Sequence, residues 1–149
     1  MNKASLIVKQ IVSDLIVEAE SKKKHVLQVD TIRERAERHI KTKHKDASHE
    51  YLYTVGMTQV IYRWLNYFGF YAVRQGMFVN PMTCRNINYL NAIIENKETD
   101  VNGRKAALEA IREIRDPQIS FITNGADIVG QTDPMTEDEF MEYLKADAV

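Results

Sequence analysis

The sequence predicts an α+β fold that is mainly helical, and three observations support this prediction. Apolar residues recur every three or four positions along several long segments, which is the spacing of amphipathic helices. Two of these segments carry the Thr-x-x-Glu pattern of a capping box, at Thr31 and Thr136. Short apolar runs flank Gly76 and also the pair Asn124-Gly125, a pattern typical of β-hairpins. Helices should therefore dominate, with two small hairpins between them.

The first two elements are predicted to be a helix over Ala4–Ala19 and a short strand over His25–Val29. The strand is apolar, partly β-branched and too short for a helix. The apolar stripe of the helix is wide, and its members are Leu6, Ile7, Val8, Ile11, Val12, Leu15, Ile16 and Val17. Because so wide a stripe favours burial on two sides, we expect a homodimer that forms through this helix.

The second helix is predicted to begin at the capping box of Thr31, with Asp30 as an alternative cap, and to reach about His44. It is basic, with Arg33, Arg35, Arg38, Lys41 and Lys43. A third helix follows from about Ser48 and ends before Gly69, which is a common residue just past a helix end. We expect its outward-facing, functional portion to begin near Gly56.

The remaining elements alternate between hairpins and helices. A hairpin is predicted over Phe70–Pro81, because apolar β-rich runs surround a glycine that can adopt positive φ. Helices are predicted over Met82–Asn96 and Arg104–Ile114. A second hairpin over Ile119–Val129 and a last helix that opens at Thr136 complete the chain.

The net charge of −1 conceals an uneven distribution along the chain. Residues 1–116 hold 19 lysines and arginines against 14 acidic residues, whereas residues 117–149 hold one against seven. We therefore divide the chain into a helical body, 1–117, and a hairpin with an acidic C-terminal helix, 118–149, which should pack on the same domain. A basic body attracts polyanions, and an acidic tail can shield that body, bind a basic partner or simply be solvated.

Membrane insertion and secretion are not expected. The longest apolar stretches are about three residues, whereas roughly 20 are needed to cross a bilayer. The N-terminus lacks the basic, apolar and small-residue pattern of a secretory signal, and Cys84 has no second cysteine to pair with. We therefore expect a cytoplasmic protein.

The sequence offers no pattern typical of catalysis or of metal binding. Among His25, His39, His44 and His49, no two are four residues apart, which is the spacing that lets two imidazoles share a metal on one helix face. Cys84 falls near a predicted helix start, where the dipole would lower the thiol pKa, but a single cysteine is more often a packing residue. Glycine-rich phosphate loops and Gly-x-Ser-x-Gly elbows are missing from the sequence. We therefore expect a non-enzymatic protein without cofactor or metal.

Four segments, taken in order, carry a resemblance to a known fold group. They are His25–Val29, the residues 30–36 that follow, Gln59–Phe68 and the hairpin Phe70–Pro81. Together with the first helix they give the order helix, short strand, helix, helix, hairpin, which resembles a winged helix-turn-helix domain, without pointing to a specific family within that group. The resemblance implies that the third helix enters the major groove of DNA and that the hairpin, or wing, lies against the backbone.

The resemblance also assigns roles to individual side chains. The third-helix residues implied to face bases are Gln59, Tyr62, Arg63 and Asn66. Arg74 and Gln75, near the tip of the wing, would meet the DNA, with Arg74 on a phosphate. Arg35, Arg38 and Lys41 of the second helix would neutralise further phosphates. The residue types suit this task, because arginine forks onto guanine whereas asparagine and glutamine match adenine.

Two functions follow from these patterns. The first is a DNA-binding regulatory protein, expected to be dimeric and to act in transcription regulation on duplex DNA. The second is a protein-interaction module, such as an accessory or inhibitory factor of a mobile element. Its basis is the aromatic and methionine content between Tyr67 and Met82, together with the acidic segment after Pro117, which can imitate the charge of a nucleic acid.

Overall fold

The computed structural model describes residues 3–43, 56–115 and 135–149, and within these ranges the fold is α+β and mainly helical, as predicted. The elements are α1 Lys3–Ser21, β1 Val26–Gln28, α2 Val29–Lys43, α3 Gly56–Tyr67, β2 Tyr71–Arg74, β3 Met77–Val79, α4 Ile87–Glu95, α5 Val101–Ile114 and α6 Glu137–Ala146. The predicted second hairpin, Ile119–Val129, lies outside the described residues, as does the predicted start of the third helix at Ser48.

The three strands form one antiparallel sheet in the order β1-β3-β2. Strands β2 and β3 are the predicted hairpin, and Gly76 in its turn has φ of +76°, a conformation that glycine adopts without steric cost. In the other pairing Leu27 stands opposite Phe78. The sheet thus joins the hairpin to the strand between the first two helices.

Both faces of this sheet are buried, each in a different core. Leu27 and Phe78 belong to a core shared with α1, α2 and α3, which we call the first core. Val26, Val73 and Val79 point to the opposite side, into a second core formed with α4, α5 and α6. Because successive strand side chains alternate between faces, three short strands of apolar residues can support a helical layer on each side.

Helix α1 buries most, but not all, of the stripe predicted for it. Its fully or nearly buried residues are Ala4, Val8, Val12, Leu15 and Ala19. Leu6 and Val17 were expected in the stripe but are 50% and 63% exposed. The helix is therefore buried mainly on one side, and its wide apolar pattern includes two positions that the described part of the chain leaves uncovered.

Helix α2 begins two residues earlier than predicted and without the Thr31 cap. Strand β1 runs directly into it, so that the backbone N–H of Val29 donates to the carbonyl of Gly76 at 2.9 Å. The Thr31 hydroxyl instead donates to the carbonyl of Val149 at 3.2 Å. The capping-box prediction at Thr31 is wrong, because the hairpin turn satisfies one of the first free N–H groups of the helix.

The starts of α4 and α5 also differ from the prediction. Helix α4 begins at Ile87 rather than Met82, because the Asn86 side chain caps it by accepting from two backbone N–H groups. Helix α5 begins at Val101, three residues before the predicted start, because the Asp100 carboxylate caps it. Both caps are Asx residues that local patterns of apolar spacing do not reveal.

Helix α6 starts as predicted, with Thr136 as its N-cap, and Phe140 and Leu144 are buried in the second core. The residues after it extend the sheet. Val26 forms a parallel bridge with Ala148, and its backbone N–H and C=O bond to Asp147 and Val149, each at 3.1 Å.

Helix α6 therefore packs on the second core, whereas the division of the chain at residue 117 stays a prediction, since residues 116–134 are not described. In the described ranges, no helix combines the length and apolarity that a membrane span needs.

We predict that Gly103→Ala destabilises the protein although alanine favours helices. A Cβ at this position would stand 2.6 Å from the Tyr71 ring and 2.7 Å from the Thr99 methyl group. Such overpacking costs about 1–3 kcal/mol. Gly56→Ala is the control, because no atom of the described residues lies within 4 Å of its added Cβ. In urea unfolding, the free energy of unfolding should decrease for Gly103→Ala but not for Gly56→Ala. An unchanged or raised free energy of unfolding for Gly103→Ala would contradict the packing described.

Candidate nucleic-acid interface

Helix α3 presents three of its four predicted DNA-facing residues on one exposed side. Gln59, Arg63 and Asn66 are exposed and follow one another at helical spacings of four and three. The opposite side is anchored in the first core by Met57, Ile61, Trp64 and Leu65. Within the described ranges, no ion pair compensates the charge of Arg63. This side of α3 is a rigidly supported polar surface.

The fourth predicted residue, Tyr62, has a different position. It is half-buried, and its ring lies 5.3 Å from that of Phe78, tilted by 37°. The ring therefore fixes α3 against the hairpin and lines a cleft beside the exposed α3 surface. Aromatic pairs at this separation are attractive beyond the area they bury.

Arg74 is not free at the hairpin tip, which corrects the position expected for it. It is the last residue of β2, and its guanidinium donates to both carboxylate oxygens of Glu137, at 2.6 and 2.8 Å. It also lies over the ring of Phe140, 4.5 Å from the centroid. The carboxylate of Glu137 raises the pKa of Arg74, and Arg74 in turn lowers the pKa of Glu137. Arg74 thus attaches α6 to the hairpin, whereas the exposed side chain at the tip is Gln75.

The three basic residues predicted on α2 are not equivalent. Arg35 donates to both oxygens of Glu18 on α1, at 2.7 and 3.2 Å, and so ties two helices together. Arg38 pairs with Glu34 one helical turn away at 3.0 Å, and both side chains are largely exposed. Lys41 is exposed. A surface pair such as Arg38–Glu34 is weak and easily exchanged for a phosphate, whereas Arg35 has a structural role.

A cleft of about 660 Å³ lies between α3, the hairpin and the connection from α4 to α5. Tyr62 and Asn66 of α3 line one part of it, and residues 96–100 line another. No pattern in the sequence predicted that this connection contributes to a site. The segment Asn96–Asp100 is a short polar turn whose sequence carries no binding pattern. The packing of α5 against Tyr71 and the hydrogen bond from Asn96 to Ala72 bring it beside the hairpin.

Cys84 is buried, and burial raises the pKa of its thiol to about 11. The expectation that a helix dipole would lower this pKa fails, because α4 starts at Ile87 and not beside Cys84. His25 binds Asp147, with Nδ1 3.0 Å from the carboxylate. Within the ranges that the structure covers, no three metal-ligating side chains cluster.

Comparison of the chain with protein-family models, with curated proteins and with solved structures finds no match.

We predict that Arg74→Ala lowers the free energy of unfolding by about 1 kcal/mol, because it removes a cation–π contact and the packing of the side-chain stem on Phe140. Arg38→Ala is the matched control, since Arg38 forms only an exposed pair within its own helix. Urea unfolding at neutral pH measures both. Equal stabilities of the two variants would contradict a structural role of Arg74.

The Glu18–Arg35 pair predicts a loss of stability in acid. Hydrogen bonds from Arg35, then from Lys22, lower the pKa of Glu18 from 4.5 to about 2. A lowered pKa in the folded state means that this contribution is present above pH 4.5 and is lost as the pH falls towards 2. The free energy of unfolding, measured with urea at several pH values between 5 and 2, should therefore decrease less steeply with falling pH for Glu18→Gln than for the wild type. Parallel pH profiles of the two proteins would refute the assignment.

Proposed function

We propose that this protein is a non-enzymatic regulatory protein that binds duplex DNA through α3. The observation that carries the proposal is the exposed side of α3, where Gln59, Arg63 and Asn66 stand together on a helix anchored in the first core. The element order from α1 to β3, with β1 paired to the hairpin, supports the interpretation as a winged-helix-like domain.

The chemistry of the α3 surface suits the edges of base pairs. In the major groove an arginine guanidinium matches the two acceptors of guanine, and side-chain amides match adenine. Arg63 lies between the two amide residues, so that one helix side offers both kinds of contact. A helix is the element that the major groove admits, and its buried side keeps these side chains in a fixed register.

In this proposal, fewer residues contact the phosphate backbone of the DNA than the sequence suggested. Arg38, Lys41 and the hairpin residue Gln75 are exposed and able to reach phosphates. Arg35 and Arg74 reach a phosphate only when they release Glu18 and Glu137. The proposal therefore assigns these two arginines to stability, and the affinity for DNA to the exposed residues.

A homodimer remains part of the proposal. Leu6 and Val17 are exposed and eleven residues apart, close to three helical turns, so they lie on one side of α1. Gln10 and Asp14 lie between them, where the amide of Gln10 donates to Asp14 at 2.8 Å. A symmetric pairing of two α1 helices would cover the apolar residues and keep this polar pair at the interface rim.

The alternative proposal, a protein-interaction module, rests on α6. Phe70, Met77 and Phe78 are buried, so the aromatic and methionine segment keeps its exposed apolar surface mainly at its two ends, where Tyr67 is 68% and Met82 71% exposed. Helix α6, in contrast, exposes Asp138, Glu139 and Glu142, and Tyr143 is 56% exposed. Such an acidic side with an aromatic residue fits a basic protein partner.

We predict that the protein binds a random duplex at low salt and that Arg63→Ala weakens this binding several-fold, because a positive charge near the phosphates is lost. Arg112→Ala is the matched control, because Arg112 is also exposed but lies on α5, which packs on α4. Fluorescence anisotropy at two salt concentrations measures the affinity, which should fall as salt displaces the phosphate contacts. Sedimentation of the complex should give two chains per duplex.

Absence of binding at low salt, or equal affinities of the Arg63 and Arg112 variants, would contradict the DNA proposal. The alternative, a protein-interaction module, would then be favoured if the protein captures a basic partner and if Glu142→Gln together with Asp138→Asn abolishes this capture. These charge substitutions are preferable to deletion of residues 130–149, because Phe140 and Leu144 belong to the second core and their removal would unfold it.

A further inference from the structure

The cleft beside α3 has the size and the lining of a ligand site. Its volume of about 660 Å³ is within the range of small-molecule pockets, roughly 300–1,000 Å³. Three aromatic residues line it, Tyr62, Tyr71 and Phe78. Such a concentration of aromatic surface in a concave site favours planar, apolar-faced ligands.

The aromatic walls are held in place from behind. The ring of Tyr62 packs on that of Phe78, as described above, and the ring of Tyr71 lies directly against Gly103 of α5. Burial, and next the charge of Asp100, raise the pKa of Tyr71, which keeps its phenol neutral. A ligand that stacks on these rings therefore orders few side chains, and the entropic cost of binding is small.

The polar groups of the cleft fall into two kinds. Both ends of the Asn96 amide are used, since it donates to Ala72 and accepts from Glu98. The amides of Asn66 and Gln75 are exposed and, within the described ranges, have no hydrogen-bond partner. Two side-chain amides, each with donors and an acceptor, are thus available at the margin of the aromatic surface.

Thr99 supplies an independent indication of a ligand. It lines the cleft, is only 9% exposed, and its hydroxyl has no hydrogen-bond partner in the described part of the chain. Leaving a buried hydroxyl unpaired costs about 1–3 kcal/mol, so such groups in proteins call for an explanation. The Thr99 methyl group lies against Gly103 of α5, and a rotation about χ1 is needed to give the hydroxyl access to the cleft.

The charges at the cleft restrict the ligand further. Its charged residues are Lys97, Glu98 and Asp100, so that acidic side chains outnumber basic ones. A phosphate group would be repelled, whereas exocyclic amino groups and ring N–H groups would find acceptors. The lining therefore favours a neutral, nitrogen-rich aromatic ring.

We propose that the cleft between α3, the hairpin and residues 96–100 binds a phosphate-free planar heteroaromatic compound of the nucleobase type. The ring stacks on the tyrosine surface, and its edge bonds to Asn66, Gln75 and the Thr99 hydroxyl. This inference shares Asn66 and Gln75 with the proposed DNA-binding surface but does not need Arg63, so nucleoside binding and DNA binding are tested separately.

Amide-resolved NMR titration with adenosine, guanosine and cytidine, each compared with its 5′-monophosphate, tests the proposal. At least one nucleoside should shift the amides of Tyr71, Gln75 and Thr99 at millimolar concentration, and its monophosphate should bind several-fold more weakly. If no nucleoside shifts these amides, or if the monophosphates bind more tightly, the proposal is overturned.

The variant Thr99→Val separates a ligand contact from a purely structural role. It should unfold at a higher temperature than the wild type, because an unpaired buried hydroxyl is removed, and yet bind the nucleoside at least about threefold more weakly. Thr42→Val, outside the cleft on α2, should leave the affinity unchanged. Gln75→Ala, at an exposed position where folding is not at risk, should also weaken binding. Wild-type affinity in both the Thr99 and Gln75 variants would overturn the assignment.

Discussion

Burial of the three-stranded sheet on both faces is the constraint on which the rest of the structure depends. Side chains alternate across the strands, so a slip of one residue in the pairing of β1 with β3 would exchange Leu27 and Val26 between the two cores. Since both cores need their own residues, the register is fixed. The fixed register in turn sets the distance between α3 and the hairpin, and with it the shape of the cleft between them.

The sheet also explains how the two oppositely charged parts of the sequence come together. The residues after α6 extend the sheet at Val26. The ion pair of Arg74 with Glu137 and the hydrogen bond between His25 and Asp147 hold the acidic segment on either side. Part of the positive charge that the sequence showed in the body is therefore compensated by its own C-terminal segment. Arg63 stands apart from this compensation, and the proposed function rests on it for that reason.

Local patterns in the sequence predicted the elements whose causes are local. The helix start at Thr136 and the hairpin around Gly76 follow from capping and turn chemistry, and the structure confirms both. The predicted start of α2 was wrong, because the partner of its first N–H group, the carbonyl of Gly76, is 47 positions away in the sequence. The cap at Asn86 was missed because Met82 offered an apparent start just after Pro81.

Only the part of the candidate site that depends on local structure could be predicted from the sequence. Helical spacing alone places Gln59, Arg63 and Asn66 on one side of α3. The ion pair of Arg74 and the cleft at Thr99 depend on contacts between segments far apart in the sequence, which no local pattern encodes. Sequence reasoning therefore found the surface that one helix provides and missed the features that require packing of several elements.

The most direct test of the account is a map of where a short DNA duplex perturbs the backbone amides of the protein at low salt. The account predicts changes concentrated at residues 59–66 of α3 and at Gln75 and Gly76 in the hairpin turn, with α5 and α6 unaffected. Changes concentrated in the acidic helix Glu137–Ala146, or no changes at any residue, would contradict it.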